Sequence, residues 1–382
     1  MTLVMKNPNL SPMIDTPALL LERERMDHNI ARMRAHLSPL GVQMRPHVKT
    51  NKCVEVARRL FDDGSGPITV STLREARFFF EHGFSDILYG VAIAPNKFAQ
   101  AAELTRMGAS LTLILDNLET ARQLADYALT QAQHVDVLLE IDCDGHRSGL
   151  APDSPLIVEI AHQLRRGGIE VKGVMTHAGN SYNSKSIAQI EAYAYQERDA
   201  VLLAAGKLRE AGFVVPVVSV GSTPTALFVK DLRGVTEVRA GVFVFFDLVM
   251  AGLGVCQFSD IALSVLTTVI GHQAEKGWTI VDAGWMALSR DRGTASQAVD
   301  QGYGVVCDIH GAPLPDMIVV AANQEHGIIA AREGCAGAGP LPVGTQLRIL
   351  PNHACATAAQ HGGYHVMEEH IPTAYWPRFS GW

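Results

Sequence analysis

ITVSTLREARFFFEHGFSDILYG, residues 68–90, sets two β-like runs around one helix-like run. ITVS is short and rich in β-branched residues, as a buried strand requires. LREARFFFEHG places its apolar residues three and four apart and ends at a glycine, the pattern of a helix packed on one face. DILYG then opens the next short apolar run. Working outward, the same unit recurs. The strand candidates are VQMRPHV (42–48), ITVS (68–71), DILYG (86–90), LTLIL (111–115), DVLLEID (136–142), VKGVMTH (171–177), VPVVSVG (215–221) and TEVRAG (236–241). Helical patterns such as CVEVARRLF and NLETARQLADYAL lie between most of them. Alternation of this kind implies parallel strands joined by helical crossovers.

Two folds compete for that pattern, a closed α/β barrel and a doubly wound open sheet. No GxGxxG follows the first strand, which weakens the dinucleotide-binding sheet. The count of eight favours the (β/α)8 barrel. It sets aside an opening strand near residues 17–21, followed by a helix with Met26, Ile30 and Met33 at helical spacing. After residue 252 the texture changes. IALSVLTTVIGHQ, WTIVDAG, GYGVVCDIHG, MIVVAANQEHGII and QLRILPNHA are β-like segments between glycine and proline turns. The predicted division is a barrel over 15–252 and a mainly β domain over 253–382, to which residues 1–14 are added.

Composition narrows the function class. The 382 residues are 47% hydrophobic and 19% charged, which suits a chain with a large interior. The net charge of −7, with no long run of one sign, offers no basic stripe for nucleic acid. No 18-residue apolar run suggests a membrane span. The first residues, MTLVMKNPNLSPMIDTP, lack the apolar core of a signal peptide. The six cysteines are scattered without a CxxC pair, which predicts a reduced, cytoplasmic protein.

Four segments carry chemistry. Lys49 in RPHVKT (45–50) falls at the C-terminal end of an early strand, where barrel active sites are built. A lysine buried there has a lowered pKa and attacks aldehydes; the bland alternative is a surface lysine. GSTPT (221–225) follows the seventh strand: Gly221 permits a tight turn, and the Ser222 and Thr223 hydroxyls suit phosphate oxygens. Gly241 ends the eighth strand and allows a second close approach, and barrels often bind phosphate on these two loops. In the middle strands, Arg147 of DGHRS (144–148) suits a phenolate or carboxylate. In HAGNSY (177–182), His177 suits stacking on a flat ring and Tyr182 a hydrogen bond to a ring nitrogen. A core histidine satisfied by a carbonyl is the alternative for His177. In PNHACA (351–356), His353 and Cys355 would point to one side of an extended segment and offer imidazole and thiolate, both good zinc ligands. Taken alone, an H-x-C pair is a weak signal. Asp247, Trp285 and His326 have no settled role, and Phe243, Phe245 and Phe246 read as packing.

Together the strings RPHVKT, DGHRSG, THAGNSY, VSVGSTPT, VRAGVFVFFDLVM, IVDAGWMALSRDRGT, ANQEHG and LPNHACAT resemble the D-threonine aldolase and D-serine dehydratase group of pyridoxal 5'-phosphate (PLP) enzymes, from about Asp15 to Trp382. The resemblance implies a barrel of the alanine racemase type and a homodimer. It implies that Lys49 forms the Schiff base and that Gly221, Ser222, Thr223 and Gly241 hold the phosphate. Arg147 would lie by the phenolic oxygen, His177 against the ring and Tyr182 near the pyridine nitrogen. Dehydratase members carry H-x-C with zinc, whereas aldolase members carry H-x-D with manganese or magnesium. Cys355 therefore favours a zinc-dependent dehydratase, with Mn2+ or another divalent ion as a substitute. The implied substrate is a D-configured β-hydroxy amino acid, 3-hydroxyaspartate, D-serine or D-threonine, converted to a 2-oxo acid and ammonia. A metal-dependent aldolase and a non-enzymatic PLP-binding protein are the alternatives. Arg290, Arg292 and His326 are candidates for a distal carboxylate.

Overall fold

A computed structural model describes residues 14–132, 134–339 and 341–382. It divides into two units, one of Ile30–Phe243 with Gly381–Trp382, the other of the N-terminal segment to Asn29 with Val244–Ser380. The first strand, β1 (Ala18–Glu22), belongs to the second unit. The barrel unit follows with β2 (Gln43–Met44), β3 (Ile68–Val70), β4 (Asp86–Ala92), β5 (Ser110–Leu115), β6 (Asp136–Ile141), β7 (Glu170–Thr176), β8 (Val217–Val220) and β9 (Glu237–Val238). All eight predicted segments are present. They pair in parallel in the order β2-β9-β8-β7-β6-β5-β4-β3.

The ring closes between its two ends. His47, just beyond β2, bridges Thr69 of β3, with Val48 N–H donating to the Thr69 carbonyl at 2.9 Å. Parallel strands buried on both faces read as near-continuous apolar runs, which is why the sequence pattern was legible. Inside, Leu88, Ile114, Leu138 and Met175 of four successive strands form one cluster. Glu140 stands two residues after Leu138 and so faces the same way. The rest of the interior carries polar groups. Ser219 donates to Glu237 at 2.6 Å, Arg45 reaches the same Glu237 at 2.7 Å, and Arg239 donates to the Ser219 hydroxyl and the Thr176 carbonyl. Each buried charge therefore has a partner, as burial demands.

The second unit is antiparallel for the most part. After β1 come β10 (Leu263–Gln273), β11 (Trp278–Val281), β12 (Val305–Cys307), β13 (Pro313–Ala322), β14 (Gly327–Ala331), β15 (Gln346–Leu350), β16 (Gly363–Glu368) and β17 (Ile371–Pro377). Their order is β11-β14-β13-β12-β15-β10-β1-β16-β17, and β10 also pairs with β11. That extra pairing closes six of the nine into a ring and removes the free edge at β11. The division differs from the boundaries expected at 15 and 252. The opening strand pairs with β10 and β16, and Val244 rather than residue 253 begins the β unit's second stretch. Leu19, Leu20 and Leu21 are fully buried there, and a strand's apolar run does not say which sheet buries it. Of the residues 1–14 expected to join the β domain, 1–13 lie outside the described residues. Phe243, Phe245 and Phe246 are wholly buried, as packing residues are.

Candidate functional site

Within the barrel unit, the residues that carry chemistry stand at the C-terminal ends of the strands. Lys49 lies in the turn beyond β2, and its side chain is exposed. The turn projects it past the last ladder bond, from His47 N–H to the Ala240 carbonyl. His47 itself is held beneath, with its ring pKa pushed well below the ordinary histidine value by burial, then by Lys49, Arg239, His177 and Arg147. His177, one residue beyond β7, donates from Nδ1 to the Gly221 carbonyl at 2.6 Å. That bond fixes the neutral tautomer and leaves Nε2 without a proton. Burial lowers His177 to about 3, against the Gly221 bond, with Arg147, Lys49 and Arg239 adding to the fall. Three cations thus surround two neutral imidazoles. Glu140, near Arg147 at 3.9 Å, is itself pushed up by burial.

Such a set suits a flat, polyanionic ligand: Lys49 for an aldehyde, Arg147 and Arg239 for negative oxygen, His177 for a ring face. Tyr182, in the short turn Gly179–Asn183, has its ring 6.1 Å from that of His177. Ser222 is 1% exposed and caps the helix Thr223–Phe228, accepting from Thr225 N–H at 3.2 Å. The Thr223 hydroxyl accepts from Phe243 N–H at 3.3 Å. Accepting these bonds does not use the O–H proton of either hydroxyl. Gly221, at φ +156°, is glycine because a Cβ would strike the Arg239 carbonyl. A Cβ on Gly241 would lie 2.8 Å from the His47 carbonyl and from the Thr50 hydroxyl. These glycines bring backbone close to backbone, and in that way shape the turn.

The second unit carries the other group. His353 and Cys355 do not lie in an extended segment: His353 is the N-cap of the helix Ala354–Ala358, and Cys355 falls in its first turn. Asp247 holds this helix start. It caps its own helix, Leu248–Gly252, through Met250 N–H at 3.0 Å, and accepts from Ala354 N–H at 2.9 Å. Asn352 is anchored on both sides, accepting from Thr294 at 2.5 Å and donating to the Gly302 carbonyl at 2.6 Å. The His353 ring bonds Asp291 through Nδ1 at 2.6 Å. Burial opposes a charge on His353, but Asp291, Cys355 and Asp247 outweigh it and raise the ring to about 11. The imidazole and the thiol are groups of a type that ligates a metal. A carboxylate on the far nitrogen is the usual support of a metal-ligating histidine.

Two residues here were missed from sequence. Arg239 had a signal, a charge inside the apolar run TEVRAG, and Asp291 stood inside a quoted string. Arg290 stacks over Trp285 at 4.2 Å and Arg292 pairs with Asp300 at 2.5 Å. Another cluster, His134, Asp136 and Glu170, lies at the N-terminal ends of β6 and β7, the opposite end of the barrel from Lys49. Lys172 already neutralises it, at 2.7 Å from Glu170.

The barrel, its closing bridge and the cations at its mouth define a protein of the alanine racemase type. The alanine racemase N-terminal domain matches residues 21–249, and the putative serine dehydratase domain matches 262–367. The chain belongs to the family that joins these two domains. It is 52% identical to the D-threo-3-hydroxyaspartate dehydratase of Delftia sp. (strain HT23), over 97% of this chain and 98% of that one. It is 31% identical to the D-serine dehydratase of Dictyostelium discoideum, over 93% of each. Two solved structures of D-threo-3-hydroxyaspartate dehydratase superpose with a TM-score of 0.94. One is a cysteine-to-alanine mutant in the metal-free form, 51% identical over 97% of this chain and 99% of that one. The other is a histidine-to-alanine mutant, 50% identical over 98% and 97%. This chain is an enzyme of the lyase class. Among the described residues no helix is long and apolar enough to cross a membrane.

Proposed function

We propose that this chain is a PLP- and zinc-dependent dehydratase that converts D-threo-3-hydroxyaspartate, and with it D-serine or D-threonine, to a 2-oxo acid and ammonia. The observation that carries the reading is the His353–Asp291 pair with Cys355 beside it. In the two mutant relatives the altered histidine and cysteine stand two positions apart, the spacing of His353 and Cys355. Thiolate is a soft ligand and selects zinc over magnesium or manganese. Two protein ligands leave positions for water and substrate, as catalytic zinc requires.

Lys49 would hold PLP, with Arg147 by its phenolic oxygen, His177 against its ring, Tyr182 near its pyridine nitrogen, and the Gly221–Thr223 turn with Gly241 at its phosphate. PLP, when bound, supplies the electron sink for a negative charge at Cα. Zinc, when bound, supplies Lewis acidity to a departing hydroxyl. The Lys49 amine takes the α-proton; its exposure leaves it free to reach a substrate. His177 enters with Nε2 unprotonated, held so by its bond to Gly221. Loss of hydroxide from Cβ leaves an enamine, which water hydrolyses to the 2-oxo acid and ammonia. From 3-hydroxyaspartate the product is oxaloacetate, and from D-serine it is pyruvate.

The test is a product assay. Purified protein with PLP and zinc is expected to release oxaloacetate and ammonia in equal amounts from D-threo-3-hydroxyaspartate. Glycine and glyoxylate without ammonia would instead identify an aldolase, and no turnover of any D-hydroxy amino acid would leave a PLP-binding protein.

A further inference from the structure

The helix Ile187–Glu210 turns a face of small residues to the barrel: Ala194, Ala200, Val201, Ala204 and Ala205 are buried there. Glu197 is buried in the same face, 2% exposed. A carboxylate among alanines is costly unless its lone pairs are filled. Here they are filled by three donors from two loops. Oε1 accepts from Ala178 N–H at 3.0 Å and from Gly221 N–H at 2.8 Å, and Oε2 accepts from the Thr225 hydroxyl at 2.8 Å. Burial raises the Glu197 pKa, and these three bonds pull it back.

The three donors are not arbitrary positions. Ala178 follows His177. Gly221 presents its carbonyl to His177 Nδ1 while its N–H points to Glu197, so the carboxylate anchors the turn on which the His177 ring is hung. Thr225 stands in the first turn of the helix that Ser222 caps, and its hydroxyl continues a buried chain: 2.9 Å to Ser222, then 2.9 Å to Ser181. One side chain therefore ties the loop after β7 to the loop after β8 and to the helix start behind it.

We propose that Glu197 is a positioning residue for the phosphate end of the cofactor site, and that it makes the chain prefer the phosphorylated cofactor over pyridoxal. The inference rests on the PLP reading above. Glu197 shapes the 221–225 turn from behind: with Gly221 N–H and the Thr225 hydroxyl engaged, the turn is held before any ligand arrives, and binding does not have to order it. Pyridoxal lacks the group that meets this turn and gains little from the order.

The experiment measures the dissociation constants of PLP and of pyridoxal for the cofactor-free protein, by the absorbance of the lysine adduct, in wild type and Glu197→Gln. Glutamine keeps the size and one acceptor oxygen, but sets an NH2 against the Thr225 hydroxyl and removes the charge. PLP is expected to weaken about 10- to 100-fold, the range for losing one hydrogen bond to a charged group, and pyridoxal less than about twofold. Parallel weakening of both ligands, or of neither, overturns the inference and leaves the PLP reading intact. Failure of wild type to bind PLP overturns the reading itself. Thr225→Val is the second variant, since Ser222 can still accept from the residue 225 N–H. If Glu197→Gln does not fold, the same loss of preference in Thr225→Val supports the proposal, and an unchanged preference refutes it. Thermal melts of both variants separate the effect from bulk stability, because a purely structural role moves Tm without moving the ratio of the two constants.

Discussion

Acidification should destabilise the cofactor-free barrel through His177, and the size of the effect follows from its environment. Burial and three nearby cations hold the ring at about 3, whereas an unfolded histidine titrates near 6.5. The sign follows from proton counting. Between those two values the unfolded chain binds a proton that the folded one refuses, so stability is complete above 6.5 and falls as pH drops toward 3. From pH 7 to pH 5.5 the loss is roughly 1.3 kcal/mol, obtained by integrating the unfolded titration alone. Any folded value below about 4.5 gives nearly the same figure, because the folded ring stays neutral throughout that window. The assay is urea unfolding of wild type and His177→Asn at both pH values, with the difference between the two proteins as the readout; asparagine keeps a donor for the Gly221 carbonyl. Wild type should lose about 1 kcal/mol more than the variant on acidification. Equal losses would refute the claim that burial and cations hold this ring neutral. An NMR titration of the His177 ring with a midpoint above 5 would do so independently.

Asp291→Ala should weaken zinc binding by about 10- to 100-fold, read by competition with a chromophoric chelator, since it removes the carboxylate that orients His353; unchanged affinity would show that the ring is held by packing alone. Lys49→Ala should abolish the absorbance band at roughly 400–430 nm expected of a protonated PLP imine. A persisting band would move the Schiff base to another lysine. Gly221→Ala should cost the barrel unit more than about 2 kcal/mol, because its Cβ meets backbone that has no room to shift; a urea midpoint equal to that of wild type would refute the close approach.

What was legible in the sequence was what periodicity and local chemistry write. The eight barrel strands are apolar runs between helix-like runs, and each was found. The closing bridge from His47 to Thr69 joins the first strand to the second around the ring, and no local pattern announces it. β1 was found but given no sheet, because an apolar run such as Leu19–Leu20–Leu21 looks the same in either. Lys49, His177, His353 and Cys355 were visible as reactive types at strand ends or in specific strings. The exposure of Lys49 and the helix cap at His353 were not, since both depend on where a turn projects its side chains. Glu197 stayed hidden for a different reason: on a helix surface a glutamate is ordinary, and only the three donors that converge on it make it unusual.

β1 also sets an order of events. Its partners are Leu263–Leu266 of β10 and His365–Met367 of β16, about 250 and 345 residues further along the chain. During synthesis at 5–20 residues per second the ribosome needs at least about ten seconds between making β1 and making its first partner. For that interval three consecutive leucines have no sheet to enter, while every strand of the barrel is completed. β1 is made before every strand of the barrel and is placed after them.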